Sequence, residues 1–256
     1  MLYTLPIILV FLGHATIMIV AYLFGAWLNR RKVNAGEVTQ QRKAGTMIIE
    51  GTLLSFLLGF TFNAAFDKYV SRKNIFNEEI NDISTVYSIA GLYPDSLKKE
   101  FTVLLDTFVS SQIAYYDDKE NEDKINFELK KTDSISKNLM MLVAKYAKDP
   151  NIDVYPREMI PALNKLFDTS STREMLNKAR VPLPALKLLL LISILVSFLS
   201  GTNGGFARND WFTAIGFSLL VSMTLYLILD LDSSGIGQIN LDDQQKRLID
   251  FYHSTK

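Results

Sequence analysis

Residues Gly45–Tyr69 read GTMIIEGTLLSFLLGFTFNAAFDKY, and this stretch decides the fold. It is long enough to cross a bilayer, because roughly 20 helical residues at about 1.5 Å rise cover a hydrocarbon core of about 30 Å. At about 100° per residue, one side of this helix carries a polar and aromatic stripe within roughly 80°. The stripe consists of Thr52, Phe56, Phe60, Asn63 and Asp67. Polar groups at membrane depth normally face protein or water, so the stripe predicts a helix that faces an axis or a cavity.

Three other apolar spans accompany this one, at about residues 5–28, 183–199 and 211–231. A cleaved signal peptide is the competing interpretation of the first span. That interpretation requires a basic start and a shorter apolar run, whereas here the run is long and the charges of Asn29–Lys32 follow it. Four spans therefore predict an all-α, multi-pass membrane protein embedded in a lipid bilayer, with both termini on one side.

The spans divide the chain into four predicted regions. Residues 1–66 hold transmembrane helices one and two, 67–182 a cytoplasmic helical bundle, 183–231 a transmembrane hairpin of helices three and four, and 232–256 a cytoplasmic C-terminal tail. Apolar residues from Phe76 to Ala90 recur at steps of three and four, which predicts a helix continuous with the second span. Further stripes of this kind predict a helical bundle up to about Pro182.

Two local patterns in the bundle carry separate expectations. Ser171 to Glu174 has the spacing of a capping box, which predicts that a short last helix begins there. Acid pairs such as Glu78–Glu79 are most simply solvated helix faces.

Composition and motifs limit the classes of function. The formal net charge is zero, so nothing favours a nucleic-acid partner, and the absence of cysteine excludes disulfides and thiolate chemistry. The sequence contains no Walker loop, dinucleotide fingerprint, nucleophile elbow or HExxH motif. We therefore expect no enzymatic activity and no cofactor.

Several patches of the sequence resemble the bestrophins, and most closely the bestrophin-like domain family of bacterial membrane proteins. Ser55–Phe60, followed by Asn63–Tyr69, is similar to the pore-lining second helix of the bestrophin ion channels. Leu229–Asp232 and Asn240–Asp243 resemble the acidic segment after the last bestrophin helix. Ala179–Pro182 matches the family's Ala-Arg-x-Pro segment before the third span.

The resemblance implies a homopentamer in which five second helices surround one axis. The hydrophobic neck of the bestrophins then falls on Thr52, Phe56 and Phe60, with Asn63 and Asp67 in the vestibule just inside. Thr52 departs from the family pattern, since the bestrophins have an aliphatic residue there. The resemblance also implies a protein of the cell membrane (the inner membrane of a Gram-negative bacterium) whose helical bundle and termini lie in the cytoplasm. It thereby decides the orientation, because the basic residues near the span ends favour neither side clearly.

Two groups outside the stripe have open roles. Asp230 and Asp232 end the fourth span, where calcium-gated bestrophins carry an acidic cluster. They are candidate metal ligands, although a helix-end cap or a salt bridge is the favoured interpretation. His14 lies in the first span and is expected to pack or to form hydrogen bonds between helices.

Two functions from different classes follow. The first is a pentameric ion channel, conducting anions or cations, with a neck that gates by dewetting. The alternative is a non-conducting membrane scaffold or sensor that acts through its helical block, in which the phenylalanine stripe only packs helices.

Overall fold

The computed structural model describes residues 4–35, 44–117, 122–147, 154–204, 210–233 and 237–255, and all regular structure in them is helical. The helices are α1 (Thr4–Asn34), α2 (Ala44–Ala90), α3 (Asp95–Asp117), α4 (Glu122–Tyr146), α5 (Val154–Lys178), α6 (Leu183–Gly204), α7 (Asp210–Asp232) and α8 (Asp242–Ser254). The all-α prediction is confirmed. The expected loop between the third and fourth spans lies partly outside the described residues.

Four helical stretches are long and apolar enough to cross a membrane. They lie in Ile7–Asn34, Ile48–Ala90, Arg157–Asn203 and Trp211–Asp232. The four predicted spans are therefore confirmed as helices. α2 is a single helix of 47 residues, as the stripe from Phe76 to Ala90 predicts.

The chain forms two compact units, and α2 contributes to both. The first unit consists of Met1–Tyr69 and Arg180–Ile239, and the second of Val70–Ala179 and Asn240–Lys256. The first unit contains the apolar spans. The second contains the remaining part of α2 with α3, α4, α5 and α8.

In the first unit, α1 and α6 approach each other closely because glycines face each other across the contact. A Cβ atom on Gly25 would lie 2.3 Å from the Phe198 carbonyl oxygen, and one on Gly201 would lie 2.1 Å from the Tyr22 carbonyl oxygen. Both distances are far shorter than any real Cβ contact, so only glycine fits at either position. Small residues at such crossings are the usual means by which membrane helices pack closely.

His14 joins three helices of the first unit. Its Nδ1 lies 2.8 Å from Ser222 Oγ on α7, and its Nε2 lies 2.8 Å from Ser193 Oγ on α6. A neutral imidazole has one donor and one acceptor nitrogen, so two hydroxyl groups satisfy both. The hydrogen-bonded role expected for His14 is confirmed.

The second unit has the apolar core that its helical stripes predict. Phe76 and Ile83 of α2, Phe101 and Leu105 of α3, and Leu139 of α4 are all at most 1% exposed. The C-terminal helix α8 adds Leu248 to the buried set. Burial of each such side chain stabilises the folded state by about 1.5–3 kcal/mol relative to exposure.

Tyr116 holds the start of α8 against α3. Its phenol oxygen accepts a hydrogen bond from the Leu241 backbone N–H at 3.0 Å and donates to Asp242 Oδ1 at 3.2 Å. Burial raises the pKa of the Tyr116 phenol, and the neighbouring Asp242 carboxylate raises it further. Tyr116 therefore stays protonated, and able to donate, throughout the neutral pH range.

The capping-box prediction is wrong. α5 runs without interruption from Val154 to Lys178, so Ser171 and Glu174 lie in its interior. The Glu174 carboxylate pairs with Lys178 one turn further along and does not return to a helix N-terminus. The physical reason is that Thr169 and Arg173, on either side of Ser171, are anchored to partners and are buried.

Candidate pore site

The first part of α2 has two faces with opposite surroundings. Leu54, Thr61 and Ala65 are at most 3% exposed and pack toward the other helices of the first unit. Thr61 also donates to the Leu57 carbonyl oxygen at 2.7 Å, so its hydroxyl is satisfied within the helix. This packed face fixes the rotation of α2 about its own axis.

The opposite face carries the five residues of the predicted stripe, and all five are exposed in the single chain. Phe56 is 66% exposed and Phe60 is 65% exposed, so nothing in the described part of the single chain covers either ring. The structure thus brings together the five residues Thr52, Phe56, Phe60, Asn63 and Asp67 on one uncovered side of α2.

Phe56 and Phe60 form an aromatic pair along this face. Their ring centroids lie 6.4 Å apart with an angle of 20° between the ring planes. Residues four apart on a helix are neighbours one turn apart, so the two rings occupy consecutive levels along α2. Thr52 lies one turn before Phe56 on the same face.

Asn63 and Asp67 are joined by a hydrogen bond on the same face. Asn63 Nδ2 donates to Asp67 Oδ2 at 3.0 Å, and both side chains are exposed. The amide therefore orients the carboxylate along the stripe.

Further along α2, in the second unit, Arg72 satisfies the end of α5. The Arg72 side chain is 2% exposed, and its Nε and Nη2 atoms donate to the carbonyl oxygens of Leu176 at 3.0 Å and Ala179 at 2.7 Å. The last carbonyl groups of a helix lack partners within the helix, so a buried guanidinium stabilises them.

The solvated interpretation is wrong for Glu79. Glu78 has a half-exposed side chain, but Glu79 is fully buried, with its Oε2 atom 2.7 Å from Arg173 Nη1. The Arg173 guanidinium also lies over the rings of Phe76 at 4.7 Å and Tyr115 at 5.4 Å. A buried carboxylate requires such a partner, because desolvation of an unpaired charge is costly.

The candidate metal ligand Asp230 serves as a backbone acceptor. Its Oδ1 accepts from the Gln238 N–H at 3.0 Å, and its Oδ2 accepts from the Ile239 N–H at 2.9 Å. A Cβ atom on Gly237 would lie 1.8 Å from Asp230 Oδ1, so glycine at 237 allows the chain to pass close to the carboxylate. This arrangement holds the chain that follows α7 against its last turn.

Asp232 has a similar role toward the start of α6. Its Oδ1 accepts from the Val181 N–H at 2.8 Å, and the Arg180 guanidinium donates to its backbone carbonyl oxygen at 2.7 Å. Within the described ranges, no group of three or more His, Asp or Glu side chains is placed to hold a metal ion. The geometry favours a cap at the helix end over a calcium site.

Sequence reasoning did not find the Glu79–Arg173 pair, because the two residues lie 94 positions apart and each is ordinary in its own helix. A usable signal does exist. Glu79 lies three residues after Phe76 and four before Ile83, next to Ile80. Helical periodicity therefore places its side chain on the apolar stripe of α2, toward the bundle core.

Comparison with known proteins supports the fold described above. The sequence matches the family model of the Bestrophin-like domain over residues 15–244. Two crystal structures of substitution variants of a bacterial bestrophin homologue from Klebsiella pneumoniae share the fold. One has a TM-score of 0.76 at 12% identity, covering 96% of both chains. The other has a TM-score of 0.73 at 13% identity, covering 95% of this chain and 97% of that chain.

A substituted variant of a protein described only as a membrane protein is equally similar, with a TM-score of 0.72 at 14% identity and 98% of each chain covered. Among curated proteins, none matches the sequence significantly. At these identities the structural similarities show the fold, whereas the family model covers most of the sequence itself. The chain therefore belongs to the family of Bestrophin-like domain proteins.

Proposed function

We propose that this protein is the subunit of a pentameric ion channel whose narrowest part is lined by α2. In the proposed pore, Thr52, Phe56 and Phe60 form the neck, and Asn63 and Asp67 line a vestibule beyond it. Conduction through such a neck is controlled by wetting, since a ring of phenylalanine side chains disfavours a continuous column of water.

The uncovered stripe of α2 is the observation that carries this proposal. Lipid-facing positions of a membrane helix are normally apolar, and this face combines large aromatic groups with a threonine, an amide and a carboxylate. The other face of α2 already packs against its own chain through residues such as Leu54 and Ala65. Copies of α2 around a shared axis would give the stripe a partly aqueous environment without exposing it to lipid.

The proposed orientation places the second unit and both termini in the cytoplasm. Membership of the family supports it, whereas the basic residues near the span ends leave the two orientations balanced. A C-terminal reporter enzyme distinguishes the two orientations. Activity of a reporter that functions only outside the cytoplasm would overturn the proposed one.

The proposed neck is tested by replacing both phenylalanines with alanine. In liposomes loaded with salt, F56A/F60A is expected to raise ion flux at least tenfold, because the smaller side chains widen and wet the constriction. The matched control is Phe212→Ala in α7, which removes a phenylalanine that is 63% exposed but lies outside the proposed pore. Its flux should equal that of the unchanged protein.

Oligomer size is measured on the same preparations. Unchanged flux from F56A/F60A pentamers would show that the two side chains only pack helices, which is the scaffold or sensor alternative. Equal gains in F56A/F60A and Phe212→Ala would indicate a general leak and would also contradict the proposed neck.

A further inference from the structure

The end of α1 carries three consecutive basic residues. Arg30, Arg31 and Lys32 are all exposed in the single chain. The Ala35 N–H donates to the carbonyl oxygens of Arg31 and Lys32, each at 3.1 Å, so the basic residues stand on a formed turn of helix. Neither α1 nor α6, which packs beside it, contains an aspartate or a glutamate. The two helices therefore provide no carboxylate to balance these three positive charges.

An exposed apolar stripe leads along α1 to this turn. Val20, Phe24 and Trp27 are 58%, 53% and 46% exposed. They recur at steps of four and three, and Arg31 follows after a further step of four, so all of them lie on one face of the helix. At about 1.5 Å per residue, the stripe from Val20 to Arg31 is about 17 Å long. This length is close to the depth of one leaflet of the hydrocarbon core, roughly 15 Å.

Aromatic rings at the end of the stripe hold the Arg31 guanidinium near the apolar span. The rings of Phe24 and Trp27 are stacked, with their centroids 5.9 Å apart, and Phe24 also lies 6.0 Å from Phe198 of α6. The guanidinium lies over the Trp27 ring, 5.4 Å from its centroid. Tryptophan is enriched where the membrane meets water, so we expect this cation to lie at the depth of the lipid headgroups.

The combination of stripe and cations fits a charged lipid better than other partners. A free anion would engage the basic residues and leave the apolar stripe uncovered, whereas an uncharged apolar partner would cover the stripe and leave the cations. Basic residues next to a membrane attract anionic headgroups. A guanidinium also matches the geometry of phosphate oxygens with two parallel N–H donors.

We propose that the end of α1 binds an anionic phospholipid. Its phosphate is received by Arg31 and the two neighbouring basic residues, and an acyl chain lies along Val20, Phe24 and Trp27. This lipid site is separate from the proposed channel, and it depends neither on conduction nor on the orientation of the chain.

The fluorescence of Trp27 tests the site directly. The chain has two tryptophans, Trp27 and Trp211, so Trp211→Phe leaves Trp27 as the only one. This protein is reconstituted into phosphatidylcholine vesicles with a small, fixed fraction of brominated lipid, because bromine quenches a tryptophan that it contacts. Brominated phosphatidylglycerol should occupy the site with about fivefold or greater preference over brominated phosphatidylcholine, which corresponds to the attraction of at least one basic residue.

Charge variants in the same background locate the lipid. R30Q/R31Q/K32Q removes the three charges with a residue that also favours helix, and it should abolish the preference. The matched control is K98Q/K99Q, which removes two exposed lysines of α3 in the second unit and should leave the preference unchanged. The quenching of each variant is referred to vesicles without bromine, because the charges themselves can alter tryptophan emission.

Two single substitutions test the position of Arg31. R31Q and K32Q remove the same charge from neighbouring positions, but only the Arg31 guanidinium is known to lie over Trp27. R31Q should therefore reduce the preference for phosphatidylglycerol more than K32Q does. Equal effects of the two would overturn the specific role of Arg31.

The other contrary results are equally definite. Equal quenching of Trp27 by the two brominated lipids, with all charges present, overturns the site. A preference that survives R30Q/R31Q/K32Q places the anionic lipid elsewhere and overturns it as well. Loss of the preference in K98Q/K99Q would show a diffuse effect of net charge and no site on α1. Thermal unfolding in the same vesicles establishes that each variant is folded before it is compared.

Discussion

At the scale of single residues, Glu79 and Arg173 show how a charge can be confined to the interior of the second unit. The carboxylate is fully buried and the guanidinium nearly so, yet they lie 2.7 Å apart and the guanidinium has two aromatic neighbours. In such pairs, Coulomb attraction roughly offsets the cost of desolvation. We therefore expect the pair to contribute more to the specificity of packing between α2 and α5 than to net stability.

This balance predicts a marked asymmetry between single and double substitutions. Glu79→Met alone leaves a buried cation without its partner and should destabilise the protein by about 3–5 kcal/mol. E79M/R173M should recover most of that loss. Thermal unfolding of purified protein measures both, with Glu78→Gln as the control because the Glu78 side chain is 49% exposed. A double variant that is no more stable than the single one would contradict the balance.

Asp67 is the residue at which charge should determine ion preference. In a pentamer, five copies would form an acidic ring that raises the local cation concentration. Asp67→Asn should shift the reversal potential toward anions under a salt gradient. The unfolding temperature should stay nearly unchanged, because the carboxylate accepts its hydrogen bond from the exposed amide of Asn63. Loss of assembly with unaltered selectivity would instead mean that Asp67 is a structural residue.

At the scale of elements, periodicity predicts the helices well because both halves of α2 bury a stripe of apolar residues. Periodicity cannot show which partner a helix has found, and this explains the two wrong expectations. The expectation of a helix start at the capping box is wrong because Thr169 and Arg173 anchor the middle of α5. The expectation that Glu79 is solvated is wrong because its partner, Arg173, lies on another helix. The stripe from Thr52 to Asp67 was predictable, since its face depends only on helix geometry. The pore role of that stripe stays a prediction.

The crossing of α1 and α6 gives a prediction about glycine. Alanine is about 1 kcal/mol more favourable than glycine inside a helix, so Gly→Ala should stabilise any helix position with free space. Gly25→Ala should do the opposite, because its Cβ would lie 2.3 Å from a backbone oxygen of α6. Gly13→Ala on the same helix is the matched control, since no atom lies within 4 Å of its Cβ position. Equal unfolding temperatures for the two variants would contradict this packing.

At the scale of the whole molecule, the uncovered stripe of α2 is the feature that an assembly of identical copies would cover. Lipid suits Phe56 and Phe60 but not Asp67, whereas water suits Asp67 but not the rings. The proposed pentamer would suit both groups, because each ring would pack against its copies in the neck and each carboxylate would meet water in the vestibule. A closed ring of identical subunits also satisfies every copy equally.

The assembly is therefore the most consequential prediction. Native mass spectrometry of the protein released from detergent should give a mass of five times 29.0 kDa. The mass of F56A/F60A is measured alongside, so that a change of assembly is distinguished from a change in the width of the neck. A monomer or dimer that carries the full helical fold would leave the stripe without an axis to face. That result would end the pore proposal and leave the scaffold or sensor as the function to be tested.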